Sequence, residues 1–125
     1  MIDHITFHAK DIDKTKSFYT KTLAPLGYEL SVDNTYDGTR FIGFIVDGKI
    51  DTWFTNDQPA TEPGHLAWSA KSRKAVDEFY AAAIAAGAKD NGAPGLRAHY
   101  HANYYGAFVI DPDGNNIEAV CHLAE

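Results

Sequence analysis

The chain has 125 residues, 45% of them hydrophobic and 22% charged, which is length and apolar content enough for one compact core. Its formal net charge of −6, with the 11 Lys and Arg residues scattered along the chain, argues against nucleic acid or an anionic membrane surface as partner. One cysteine, Cys121, precludes an internal disulfide and suits a reducing compartment, so a cytoplasmic location is expected.

Residues 2–9 alternate polar and apolar side chains with the period of a half-buried strand, His4 and His8 on one face and Ile5 and Phe7 on the other. This opening has no basic segment followed by an apolar run, so it reads as a strand rather than a signal peptide. Asp11 or Asp13 can cap a helix running to about Ala24, where Pro25 and Gly27 stop it. Strand-like runs at 28–34, 39–46 and 50–55 follow, separated by Asp37-Gly38 and Asp47-Gly48, which favour tight turns. The first module, 1–55, thus reads strand, helix, three strands. Residues 56–63 hold Pro59 and Pro63 and few bulky apolar groups, and form the connector.

The second module, 64–125, repeats that order. Its first strand, 64–70, sets His65, Ala67 and Ser69 against Leu66, Trp68 and Ala70. Val76, Phe79, Tyr80, Ala83 and Ile84 then make one helical stripe, capped by Ser72 and ended by Gly87. A Gly92-Ala93-Pro94-Gly95 loop should precede strands at 96–101 and 105–110. The turn Asp111-Pro112-Asp113-Gly114 leads to a last strand, 115–122, with Asn116, Glu118, Val120 and His122 on one face. No apolar run is long enough to cross a bilayer.

The two halves are copies. His65-Leu-Ala-Trp repeats His4-Ile-Thr-Phe, and at the same offset Phe18 matches Phe79, Tyr19 matches Tyr80 and Ala24 matches Ala85. Copies of a unit too small to bury its own apolar face pack together and turn equivalent residues toward a shared space. If each helix covers Ile5 and Phe7, or Leu66 and Trp68, then His4, His65 and Glu118 lie on the uncovered faces. Two imidazoles and a carboxylate suit a divalent Zn, Ni, Co, Mn or Fe ion, and such a set with open positions can polarise a substrate oxygen. Matching Lys49-Ile50-Asp51 to Asn116-Ile117-Glu118 offers Asp51 as a fourth ligand, whereas the alternative register puts Thr52 there.

Around this set lie candidate substrate contacts. The run 97–105 contains Arg97, His99, His101 and Tyr104, groups that bind or stack on a small polar ligand. His99 and His101 alternate with Tyr100, so both should point the same way and can line the cleft, act as general base or add a metal ligand. Trp53 should share the cleft face with Val120 as an aromatic wall, and His8 lies farther along the face of His4. The aromatic run also has a structural reading, since paired rings stabilise strand contacts and dimer interfaces without touching a substrate.

Taken together, Asp3-His4-Ile5, Phe18-Tyr19, Leu23-x-x-x-Gly27, Gly64-His65-Leu66-Ala67 and Asp111-Pro-Asp-Gly-Asn-Asn-Ile-Glu118 resemble the vicinal oxygen chelate superfamily. That group holds glyoxalase I, bleomycin-resistance proteins, fosfomycin-resistance thiol transferases and extradiol dioxygenases. The resemblance implies an α+β fold, two tandem βαβββ modules forming a paired, cleft-bearing mixed sheet, and a homodimer. Carried over, the family's metal ligands fall on His4, His65 and Glu118, with a weaker match on Asp51. The implied function is a metal-dependent, glyoxalase-like lyase, isomerase or related transferase that stabilises an oxyanion on a small substrate. Glu118, or His99 or His101, would move the proton. The alternatives are a metal-free small-molecule binder of the bleomycin-resistance type and an extradiol-type dioxygenase.

Overall fold

The computed structural model describes residues 1–59 and 62–125, so residues 60 and 61 of the expected connector lie outside the described residues. The first module runs β1 (Ile5–His8), α1 (Ile12–Thr22), a 3₁₀ turn at Ala24–Leu26, β2 (Glu29–Tyr36), β3 (Thr39–Val46) and β4 (Lys49–Thr55). The second runs β5 (His65–Ser69), α2 (Arg73–Ala85), β6 (Lys89–Leu96), β7 (Tyr105–Ile110) and β8 (Asn116–Cys121). Each module folds into a four-stranded mixed sheet, ordered β1-β4-β3-β2 and β5-β8-β7-β6, in which the first strand pairs parallel to the last. This is the expected paired βαβββ architecture, and none of its described helices is long and apolar enough to span a membrane.

The local signals act as their chemistry requires. Asp11 accepts a hydrogen bond from the Lys14 amide at 3.1 Å and Ser72 accepts one from Ala75 at 3.0 Å, each satisfying a free donor of a first helical turn. Gly27 adopts a φ of 91° after the 3₁₀ turn, a left-handed conformation that costs glycine little.

Both modules feed one hydrophobic core. The Tyr19 ring stacks on Phe54 at 4.3 Å and approaches Trp68 at 6.0 Å, while the Trp68 indole N–H donates to Thr52 Oγ1 at 3.3 Å. A second tie comes from the segment 111–115, which is more than the turn the sequence suggests. The buried Asp111 carboxylate accepts from the amides of Asp113 and Asn115, from Asn115 Nδ2, and from the Tyr19 hydroxyl on α1. Asp113 in turn accepts from the Lys10 amide at 3.0 Å and from Thr15 Oγ1 at 3.3 Å. The turn of one module is thereby fastened to the helix of the other.

Two irregularities change the expected strand faces. Along β3 and β4, Phe44 pairs with Thr52 but Ile45 pairs with Ile50, so Asp51 is an extra, bulged residue. The expected loop at 92–95 is instead part of β6, which carries register shifts on either side of Gly92. The expected strand at 96–101 is accordingly corrected. Beyond Leu96 the chain turns, closed by hydrogen bonds from the Arg97 amide to Tyr104 O at 2.7 Å and from the Tyr100 amide to Arg97 O at 2.9 Å. Glycine and proline break the ladder here, and the backbone groups find local partners instead.

Candidate functional site

On the face of the second sheet away from α2, β5 and β8 run side by side, with His65 opposite Asn116 and Ala67 opposite Glu118. The parallel ladder brings His65 Nε2 to 3.4 Å from Glu118 Oε2. His65 Nδ1 lies 2.8 Å from the carbonyl oxygen of Asn116, and because a carbonyl only accepts, Nδ1 carries the proton. Its other nitrogen, Nε2, is the atom turned toward the carboxylate oxygen. An imidazole nitrogen and a carboxylate oxygen so placed are brought together by a shared proton or by a cation held between them.

Glu118 is held in place. It is 2% exposed, and its other oxygen, Oε1, accepts a hydrogen bond from the Tyr104 hydroxyl. Burial and the adjacent Glu118 carboxylate push the Tyr104 phenol up to about 12, so it remains a donor at neutral pH. Oε2 is the oxygen left facing His65. The His65 ring, its side chain 51% exposed, stacks against Phe108 at 6.4 Å with 18° between the planes. Phe108, which sits opposite Glu118 on β7, and Asn116 were not singled out from the sequence as site residues. Strand parity places Asn116 on the Glu118 face in the sequence itself, whereas Phe108 comes opposite Glu118 only through the β7–β8 register.

The remaining predicted residues are placed less centrally. His4 stands just before β1 with its side chain 55% exposed, and its Nδ1 lies 2.7 Å from Asp3 Oδ1 rather than near His65. Hydrogen bonds from His4 and Lys49 hold the Asp3 carboxyl below its usual range. His8 Nδ1 lies 2.8 Å from Asp57 Oδ1. His99 and His101 lie on the turn after β6, not on a strand, so no strand alternation aligns them. The His99 ring packs at 4.2 Å from Tyr100, and His101 Nδ1 accepts from the Asn103 amide. Among the described residues no three His, Cys, Asp or Glu side chains converge as a metal ion would require.

The alignment of Asp51 with Glu118 is corrected by the register. Thr6 pairs with Trp53 in the first sheet as Ala67 pairs with Glu118 in the second, so Trp53 holds the place equivalent to Glu118. The bulge carries Asp51 off that face. Its carboxylate accepts from the Tyr28 hydroxyl at 3.0 Å and from Thr52 Oγ1 at 2.9 Å, beside a groove of about 400 Å³ between β1 and β5. Trp53 lies over Gly43 of β3 instead. A Cβ at Gly43 would come within 2.9 Å of the indole and 3.0 Å of Ile50, so the glycine makes room for both side chains, which lie on one face.

A family model described as the Glyoxalase/Bleomycin resistance protein/Dioxygenase superfamily matches residues 1–119. No curated protein sequence matches the chain. Among solved structures, a glyoxalase/bleomycin resistance protein from Albidiferax ferrireducens is 29% identical, with a TM-score of 0.72, covering 97% of this chain and 98% of that one. Glyoxalase I from Zea mays is 19% identical at a TM-score of 0.74, covering 99% of this chain and 45% of its own. A fosfomycin resistance protein from Listeria monocytogenes, solved with Mn(II) and dihydroxypropylphosphonic acid, is 19% identical at a TM-score of 0.70, covering 96% and 90%. The last two likenesses concern the fold.

Proposed function

Because this chain belongs to the Glyoxalase/Bleomycin resistance protein/Dioxygenase superfamily, we propose that it is a metal-dependent, glyoxalase-like enzyme whose reacting centre is built on His65 and Glu118. The observation that carries this reading is His65 Nε2 facing Glu118 Oε2 at 3.4 Å, with Nδ1 turned away onto the Asn116 carbonyl. Both donors fit a borderline divalent cation such as Mn, Ni, Zn, Co or Fe. When bound, such an ion supplies Lewis-acid stabilisation of negative charge on a substrate oxygen.

The third donor is His4, contributed by a second copy. Within one chain His4 is exposed and apart from His65, while β1 and β5 are both end strands of their sheets, flanking one groove. Such end strands invite pairing, and a two-fold dimer that sets β1 of one copy beside β5 of the other would bring His4 to the His65–Glu118 pair. Asp51 is left out of the set, because its carboxylate is already occupied by Tyr28 and Thr52.

The chain's own groups divide the remaining work. Tyr104 fixes the Glu118 rotamer through Oε1, leaving Oε2 to hold the ion with His65 or, when not so engaged, to take a proton from a substrate carbon and return it to a neighbouring one. His99 and His101, on the turn beside Tyr104, are the secondary candidates for that transfer. Trp53, Arg97 and Tyr104 provide the polar and aromatic contacts of a small substrate, with His8 at the margin.

Metal titration followed by melting temperature tests the assignment, since an ion that binds only the native state must stabilise it. Mn²⁺, Ni²⁺ or Zn²⁺ should raise the melting temperature of the protein, and His65→Ala and His4→Ala should abolish the rise. A second reading, a metal-free binder of planar molecules, draws support from the indole of Trp53 laid over Gly43 and from Tyr100, which is 61% exposed. Protein purified without metal, and indifferent to added metal, would favour that reading.

A further inference from the structure

Arg97 is held in an unusual way. Its Nη1 donates to Gly95 O at 2.9 Å and its Nη2 to Ala93 O at 2.8 Å, so the guanidinium is pinned by the backbone of the strand that precedes it. The irregular course of β6 makes this possible. Gly92 has a φ of 148°, and a Cβ there would stand 3.2 Å from Nη2 and 3.1 Å from Phe108, while one at Gly95 would stand 3.2 Å from Nη1. The strand has glycine where the guanidinium needs room.

This cation has no counter-ion. Among the described residues no carboxylate lies within 4.0 Å of Arg97, in contrast to Arg40, which is taken up by Asp33 and Asp13. Of the five N–H donors of a guanidinium, two are spent on carbonyls and the others are unpaired by protein groups. A charge immobilised by neutral partners is preorganised, since its side-chain entropy is already lost before a ligand arrives.

Its position is beside the reacting centre. The guanidinium carbon lies 5.5 Å from the Phe108 ring centroid, and the same ring lies 6.4 Å from that of His65. Across the turn, the Arg97 amide bonds the carbonyl of Tyr104, whose hydroxyl bonds Glu118. Both the free cation and the His65 ring therefore lie against Phe108, in a chain whose net charge is −6.

We propose that Arg97 is the seat of an anionic oxyacid group, and that the substrate of this site is a small carboxylate or phosph(on)ate whose other end reaches His65 and Glu118. The inference rests on the reading of His65 and Glu118 as the reacting centre. Planar guanidinium and oxyacid groups match in a fork-to-fork geometry that an ammonium cannot reproduce.

Inorganic phosphate and acetate are the probes, titrated against melting temperature at constant ionic strength made up with sodium chloride. At least one should stabilise the protein saturably, and which one does separates a phosph(on)ate from a carboxylate seat. Arg97→Gln should raise the half-saturating concentration by on the order of tenfold or more. Arg97→Lys, which keeps charge and stem, should fall between the two. Arg73→Gln is the control, because Arg73 lies over Tyr105 on the α2 side of the same sheet and should respond like the unaltered protein. No stabilisation beyond that of chloride, an unchanged response in Arg97→Gln, or an equal loss in Arg73→Gln would overturn the proposal. Metal titration of Arg97→Gln keeps the two readings apart. A retained metal response with a lost anion response supports Arg97 as the seat, whereas a chain that takes phosphate or acetate through Arg97 but never responds to metal would sink the metal assignment alone.

Discussion

Replacing Tyr19 with Phe tests whether the 111–115 segment really fastens the two modules together. The substitution removes one hydroxyl and leaves the ring, which stacks on Phe54 at 4.3 Å. Asp111 would keep the amides of Asp113 and Asn115 and the Asn115 side chain as donors, so the loss is one hydrogen bond to a buried carboxylate, not an unpaired charge. A hydrogen bond to a charged group contributes about 2 kcal/mol. With an unfolding entropy of roughly 2.1 cal/mol/K per residue, that loss lowers the melting temperature of a 125-residue chain by about 8 °C. Scanning calorimetry and urea unfolding of Tyr19→Phe measure it directly. A fall of less than about 2 °C would mean that Asp111 is satisfied without Tyr19 and that this hydrogen bond does not fasten the modules.

Asp51→Asn should keep the full metal-dependent rise in melting temperature that His65→Ala loses; an Asp51 variant with no response would restore Asp51 as a ligand. Gly43→Ala should force the Trp53 indole aside, costing roughly 1–3 kcal/mol and changing the tryptophan emission, and an unaltered spectrum would contradict the close approach of the ring. Hydrogen bonds from Arg40 and Lys16 hold the Asp33 carboxyl far below its ordinary range. A depressed carboxylate stabilises the fold above its unfolded value of about 4 and loses that contribution as pH falls through the folded one. The stability difference between the unaltered protein and Asp33→Asn should therefore be flat above about pH 5, shrink below about pH 4, and be small in high salt because the pair is at the surface. A difference that grew on acidification would refute it.

Much of the first-order structure was written locally. Asp11 and Ser72 cap helices because a short side-chain oxygen reaches an amide three residues on, a relation that involves no other part of the chain. Period-two alternation put His65 and Glu118 on the faces of their strands away from the helix, and the duplicated order of elements aligned those strands in parallel. The pairing of these two side chains was legible for that reason.

What the sequence could not show depends on register and on distant partners. Side-chain parity along a strand persists only until an extra residue resets it, and an extra residue exists only relative to the neighbouring strand. Hence the bulge that withdraws Asp51 and gives Trp53 the place of Glu118 emerges only when β3 and β4 are paired. The same holds for β6, where ladder irregularities at Gly92 and Gly95 bend the strand around Arg97 and turn the expected strand of His99 and His101 into a loop. The hold of Asp111 on Tyr19 and of Asp113 on Lys10 and Thr15 joins residues about a hundred positions apart, beyond any local pattern. Composition and periodicity thus settled which elements form and which faces they expose, since those are short-range properties of the backbone. Which side chains meet was decided by strand register and by the packing of one module on the other, because a single residue of slippage exchanges one face of a strand for the other.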